Sequence, residues 1–116
     1  MQNYKYSKIW NETYSLLLDI YALLDEFPDA NLADRMAKTS TSFLMEITKI
    51  IRNKELRDES ISLITELEIL LLISKDLSYI DKDVFQVLTK NIDLIRLLLY
   101  KTENISKKIR DRITCV

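Results

Sequence analysis

The chain of 116 residues has no glycine and no histidine, one proline, one cysteine and three valines. The missing glycine excludes phosphate-cradling loops and dinucleotide fingerprints, which need backbone closer to a ligand than any Cβ permits. The missing histidine excludes Ser-His-Asp triads, His-ligated zinc and the Glu-x-x-His pairs of di-iron bundles. A lone Cys115 forms no internal disulfide, which suits a reducing compartment, and its place in a tail expected to fray makes it a poor nucleophile. No apolar run approaches the roughly 20 residues of a membrane span. The opening Met-Gln-Asn-Tyr-Lys-Tyr-Ser-Lys also lacks the apolar stretch of a signal peptide. The expectation is a soluble cytoplasmic protein with no membrane partner.

What is present is leucine and isoleucine, together 34 residues, in a chain whose 17 Lys and Arg meet 18 Asp and Glu for a net charge of −1. Leucine is a strong helix former, and a chain without glycine has few strand turns at its disposal. The length suits one domain with a real core. All-α is therefore the expected class.

The sole proline, Pro28, sets the first boundary. Before it, Ile9, Thr13, Leu16, Ile20, Leu23 and Phe27 repeat at helical spacing, beside a second stripe of Trp10, Tyr14, Leu17, Tyr21 and Leu24. This predicts a helix over about 6–27, ended where proline disfavours helix in the residue before it. Asn31 is a candidate N-cap for a second helix over about 32–53, with Leu32, Met36, Phe43, Ile47 and Ile50 as its stripe. Inside it, Thr39-Ser-Thr-Ser42 reads as small side chains that admit a neighbouring helix, their hydroxyls bonding back to the preceding turn. The third helix is expected over about 59–78, with Leu56, Leu63, Leu70 and Leu77 at heptad spacing beside Ile64, Leu67 and Leu71. A turn at Ser78–Asp81, with Asp81 as N-cap, leads to a fourth over about 82–109 through Leu88, Ile92, Ile95 and Leu99. Turns this short favour antiparallel neighbours, so the expected fold is an up-down-up-down four-helix bundle of one domain, residues 1–116.

Three segments carry more apolar surface than one bundle needs: Leu16-Leu-Leu18, Ile69-Leu-Leu-Leu-Ile73 and Leu97-Leu-Leu-Tyr100. Each implies a second greasy face, beyond what monomers usually leave in water. Leu16, Leu18, Ile69, Leu72, Ile73, Leu97 and Tyr100 are accordingly expected at contacts between copies of the chain in a homo-oligomer. Periodicity does not set the number of copies.

No nucleophile, base and orienting group can be assembled, so no enzymatic activity, cofactor or metal is expected. Glu66 and Glu68, two residues apart on a helix, do not face each other. Cations do cluster locally. Lys101, Lys107, Lys108, Arg110 and Arg112 oppose only Glu103 and Asp111 near the C-terminal end, and Arg35, Lys38, Lys49 and Arg52 follow the second helix. They are the candidate nucleic-acid contacts, although cations at helix C-termini also answer the helix dipole. Copies in an oligomer would multiply a weak patch.

Several of these stretches resemble one family. Phe27-Pro28, then Leu32-Ala-Asp-Arg-Met36 with Thr39, is similar to the second-helix signature L-G-D-R-I-x-x-T of small bacterial four-helix-bundle proteins. These are the accessory variability (Avd-like) proteins of diversity-generating retroelements. Leu67, Leu70-Leu71 and Ser74-Lys-Asp-Leu77 resemble their third helix, and Arg96-Leu97-Leu98 their R-M-L. A sister branch, encoded in intervening sequences of 23S ribosomal RNA genes, is partly matched by Met36, Lys38 and Ser42. The resemblance implies a homopentameric barrel that catalyses nothing alone, binds nucleic acid and a reverse transcriptase, and supports cDNA synthesis. The chain departs from the family in its balanced charge, in Glu68 and Leu72 where arginines are common, and in Ala33 and Leu99-Tyr100 where glycines stand. The alternative expectation is a protein-only interaction adaptor with the same bundle and no nucleic-acid binding.

Overall fold

In a computed structural model of the chain, the structure describes residues 7–53 and 58–114, with side chains over 7–52 and 58–101. The described residues form four helices and no strand: α1 (Lys8–Leu24), α2 (Ala30–Asn53), α3 (Asp58–Asp76) and α4 (Lys82–Thr114). Each packs on two others, α1 on α2 and α4, and α3 on α2 and α4. The core lies inside this ring. Leu16 and Ile20 of α1, Met36, Phe43 and Ile47 of α2, Ile64, Leu67 and Leu71 of α3, and Ile92, Ile95 and Leu99 of α4 are all buried. The first of the two α1 stripes, Ile9–Thr13–Leu16–Ile20, supplies the buried face; Tyr14 and Tyr21 of the other stay exposed.

Helix ends differ from the sequence expectation for local reasons. α1 stops at Leu24, three residues short of Phe27, whose N–H closes a turn onto the Leu24 carbonyl at 3.2 Å. Asp29, not Asn31, caps α2: its carboxylate accepts from the Leu32 N–H at 3.0 Å, and its carbonyl accepts from Ala33. α3 ends at Asp76, two residues early, because Ser78 takes a left-handed conformation (φ 63°). The Tyr79 N–H then bonds the Ser74 carbonyl at 2.8 Å and the Ser78 N–H bonds that of Lys75 at 2.9 Å, a Schellman closure. α4 runs on to Thr114, past the expected 109, for about 50 Å at 1.5 Å per residue.

Three buried hydroxyls are met inside their own helices. Thr13 donates to the Ile9 carbonyl at 2.7 Å, Ser40 to Met36 at 2.8 Å and Ser74 to Leu70 at 2.8 Å. Of the Thr39–Ser42 run, Ser40 behaves as expected. Thr39 instead donates across to Glu66, and the Thr41 hydroxyl hydrogen-bonds Tyr21 Oη.

Candidate nucleic-acid and assembly surfaces

The sequence-predicted residues divide among three places. The first is the seam between α2 and α3. Arg35 binds Glu66 through Nη2 and through Nε, the latter at 3.1 Å, while Thr39 Oγ1 donates to the other carboxylate oxygen at 3.1 Å. The Arg35 hydrogen bonds hold the Glu66 carboxyl below the usual carboxylate range, against the opposing pull of partial burial, and Thr39 adds to the lowering. Arg35 and Thr39 of the second-helix motif therefore act here as a clamp between helices. Asp34 itself pairs with Lys38 at 2.9 Å. Grooves of about 370 and 530 Å³ flank the clamp.

The second place is the outer face of α1 and α2. Trp10 Nε1 donates to Thr48 Oγ1 at 2.9 Å, and Tyr21 Oη meets Thr41 Oγ1 at 2.8 Å. Trp10 also stacks on Tyr14, with ring centroids 5.1 Å apart and planes 21° from parallel. At 100° per residue, Lys38, Met45, Lys49 and Arg52 fall along one line of α2 beside those threonines. Lys38, Met45, Lys49 and Arg52 are all exposed. Lys49 pairs with Glu46 at 3.2 Å; the other oxygen of that buried carboxylate has no hydrogen-bond partner among the described residues. Arg52 has no ion-pair partner among the described residues. Sequence reasoning found these cations and missed Tyr14, Tyr21 and Met45 beside them. The signal was the second stripe of α1, whose Trp10 and Leu24 pack against the core while Tyr14 and Tyr21 stay exposed.

The third place is the outer face of α3 and α4. Ile69, Leu72, Ile73, Leu97 and Tyr100 are 41–59% exposed. Across their seam, Arg96 reaches Glu68 at 2.9 Å and Thr65 Oγ1 at 3.4 Å. Glu66 and Glu68 thus turn to different neighbours, as their spacing requires. Leu18, 50% exposed, sits on α1, which does not pack on α3. Leu16 corrects the expectation: at 1% exposure it is core and offers nothing to another subunit. It shares the inward stripe with Ile9 and Ile20, and an apolar triplet on a helix must turn at least one member inward.

Lys101 is exposed at the lower part of α4. Lys107, Lys108, Arg110 and Arg112 lie on the helical backbone of α4, but their side chains fall outside the described residues. Between α1 and α4, Leu23, Val84, Val87 and Leu88 floor a groove of about 320 Å³ rimmed by Asp19 and Asp83. Among the described residues, no group of three or more Asp, Glu or Cys side chains is placed to hold a metal ion, and no helix is long and apolar enough to cross a membrane. No protein-family model, curated protein or solved structure matches the chain.

Proposed function

We propose that this chain is a non-enzymatic scaffold that joins nucleic acid to a protein partner, in the manner of the retroelement accessory proteins it resembles. In that reading the partner is a reverse transcriptase and the outcome is support of cDNA synthesis in the cytoplasm. The bundle runs up-down-up-down, which the contacts of Trp10 with Thr48 and Tyr21 with Thr41 support, and it assembles as a homo-oligomer, a pentamer by resemblance. The observation that carries the reading is the separation of two surfaces. A half-exposed apolar face on α3 and α4 suits protein contact, and a line of cations on α2 suits phosphate. Binding of labelled RNA or DNA at low salt tests it: affinity that falls as salt rises is expected, and affinity that is absent or indifferent to salt overturns the nucleic-acid half.

One observation favours a second reading, a protein-only adaptor of the rRNA intervening-sequence type. Arg35, Lys38 and Lys49 each have a carboxylate partner within the chain. Co-purification of a protein partner free of nucleic acid would select it.

A further inference from the structure

We infer that the outer face of α1 and α2 is a stacking platform for single-stranded nucleic acid, with Tyr14 and Tyr21 taking bases and Lys38, Lys49 and Arg52 taking phosphates. The inference rests on the nucleic-acid half of the function proposed above and names the strand class and the residues.

Two features sit side by side on this face. Single-strand binders combine a cationic track with aromatic side chains whose faces accept any base. Here the cations lie on one line of α2, and the aromatic rings lie on the adjacent edge of α1, tied to that line through Thr41 and Thr48. Tyr14 and Tyr21 are 40% and 45% exposed, too open to be core. Trp10, beneath Tyr14, is half-buried and holds its neighbour's ring in place by stacking. The track from Lys38 to Arg52 is about 21 Å long at 1.5 Å per residue, enough for several nucleotides.

Base access selects the single strand over the duplex: a duplex hides the base faces that the tyrosines would meet. The pairs that hold Lys38 and Lys49 are no obstacle. Both join neighbours on one helix, and the Lys38 side chain is 77% exposed, so a phosphate can compete for each ammonium.

The test uses the intact chain and its only tryptophan, Trp10, as the reporter. Titration with a dT oligonucleotide, a U oligonucleotide and a DNA duplex of equal length should change Trp10 emission with the single strands. They should bind roughly tenfold more tightly than the duplex. Three phosphate contacts predict a slope of about −2 in log affinity against log salt for the single strands. Tyr14→Leu should weaken binding roughly tenfold, Tyr14→Phe should restore it, and Arg52→Gln should flatten the salt slope. Equal affinity for duplex and single strand, or unchanged affinity in Tyr14→Leu, overturns the platform and leaves nucleic-acid binding standing. No binding to any of the three overturns both.

Discussion

Glu66 shows what a single carboxylate contributes to this bundle. It gathers Arg35 and Thr39 of α2 onto α3, and its titration is held low by the hydrogen bonds from Arg35. A carboxylate whose folded pKa lies below its unfolded one stabilises the fold above the unfolded value, and that contribution is lost as pH falls through the folded value. Glu66→Gln should therefore lower the urea midpoint at neutral pH, by an amount equivalent to about 0.5–1 kcal/mol for so exposed a pair. The gap from the parent should close as pH falls through the lowered folded value of Glu66, below which both chains carry a neutral side chain. A gap that persists in acid would assign the effect to packing. Sequence reading could not find this pair, because Arg35 and Glu66 are 31 residues apart. The Asp34–Lys38 and Glu46–Lys49 pairs were legible in principle from their spacing on one helix.

At the scale of the helix, the periodic stripes specified existence and type, while the ends depended on single residues. Thr13 continued an apolar stripe because its hydroxyl is satisfied by its own helix, so the pattern survived a polar residue. The choice between Asp29 and Asn31 as cap was not legible, since both side chains can cap and only geometry tells them apart. The end of α3 was hidden for a different reason. A left-handed residue is normally announced by glycine, and this chain has none, so Ser78 bears the conformation with its Cβ in place. Ser78→Gly should therefore raise stability by about 0.5–1 kcal/mol, less the added entropy of the unfolded chain, seen as a higher urea midpoint with an unchanged slope. A loss of stability would mean that the Ser78 side chain supplies something beyond its backbone.

At the scale of the whole molecule, the placement of apolar surface matters more than its amount. Six of the seven residues expected at subunit contacts are exposed, and the seventh, Leu16, is core. The excess could be counted in the sequence, but its direction could not, because a run of three or more apolar residues points around the helix. If the proposed homo-oligomer forms, Leu72→Glu combined with Leu97→Glu should reduce its particle mass in light scattering to that of one chain. Helical circular dichroism should be kept, since both side chains are about half exposed in the single chain. An unchanged mass would remove the α3–α4 face from any assembly.

The ring of helices is not held equally on all sides. α2 packs extensively on both α1 and α3, whereas α4, the longest helix, packs more sparsely on its two neighbours. Its seam with α1 holds the groove floored by Leu23 and Val84, and its seam with α3 is bridged at Arg96 by a partly exposed ion pair. α1 and α3 do not pack on each other, so each leans on α4 as well as on α2. α4 places Leu88, Ile92, Ile95 and Leu99 in the core, so the same helix that carries Leu97 and Tyr100 on its outer face also closes the ring.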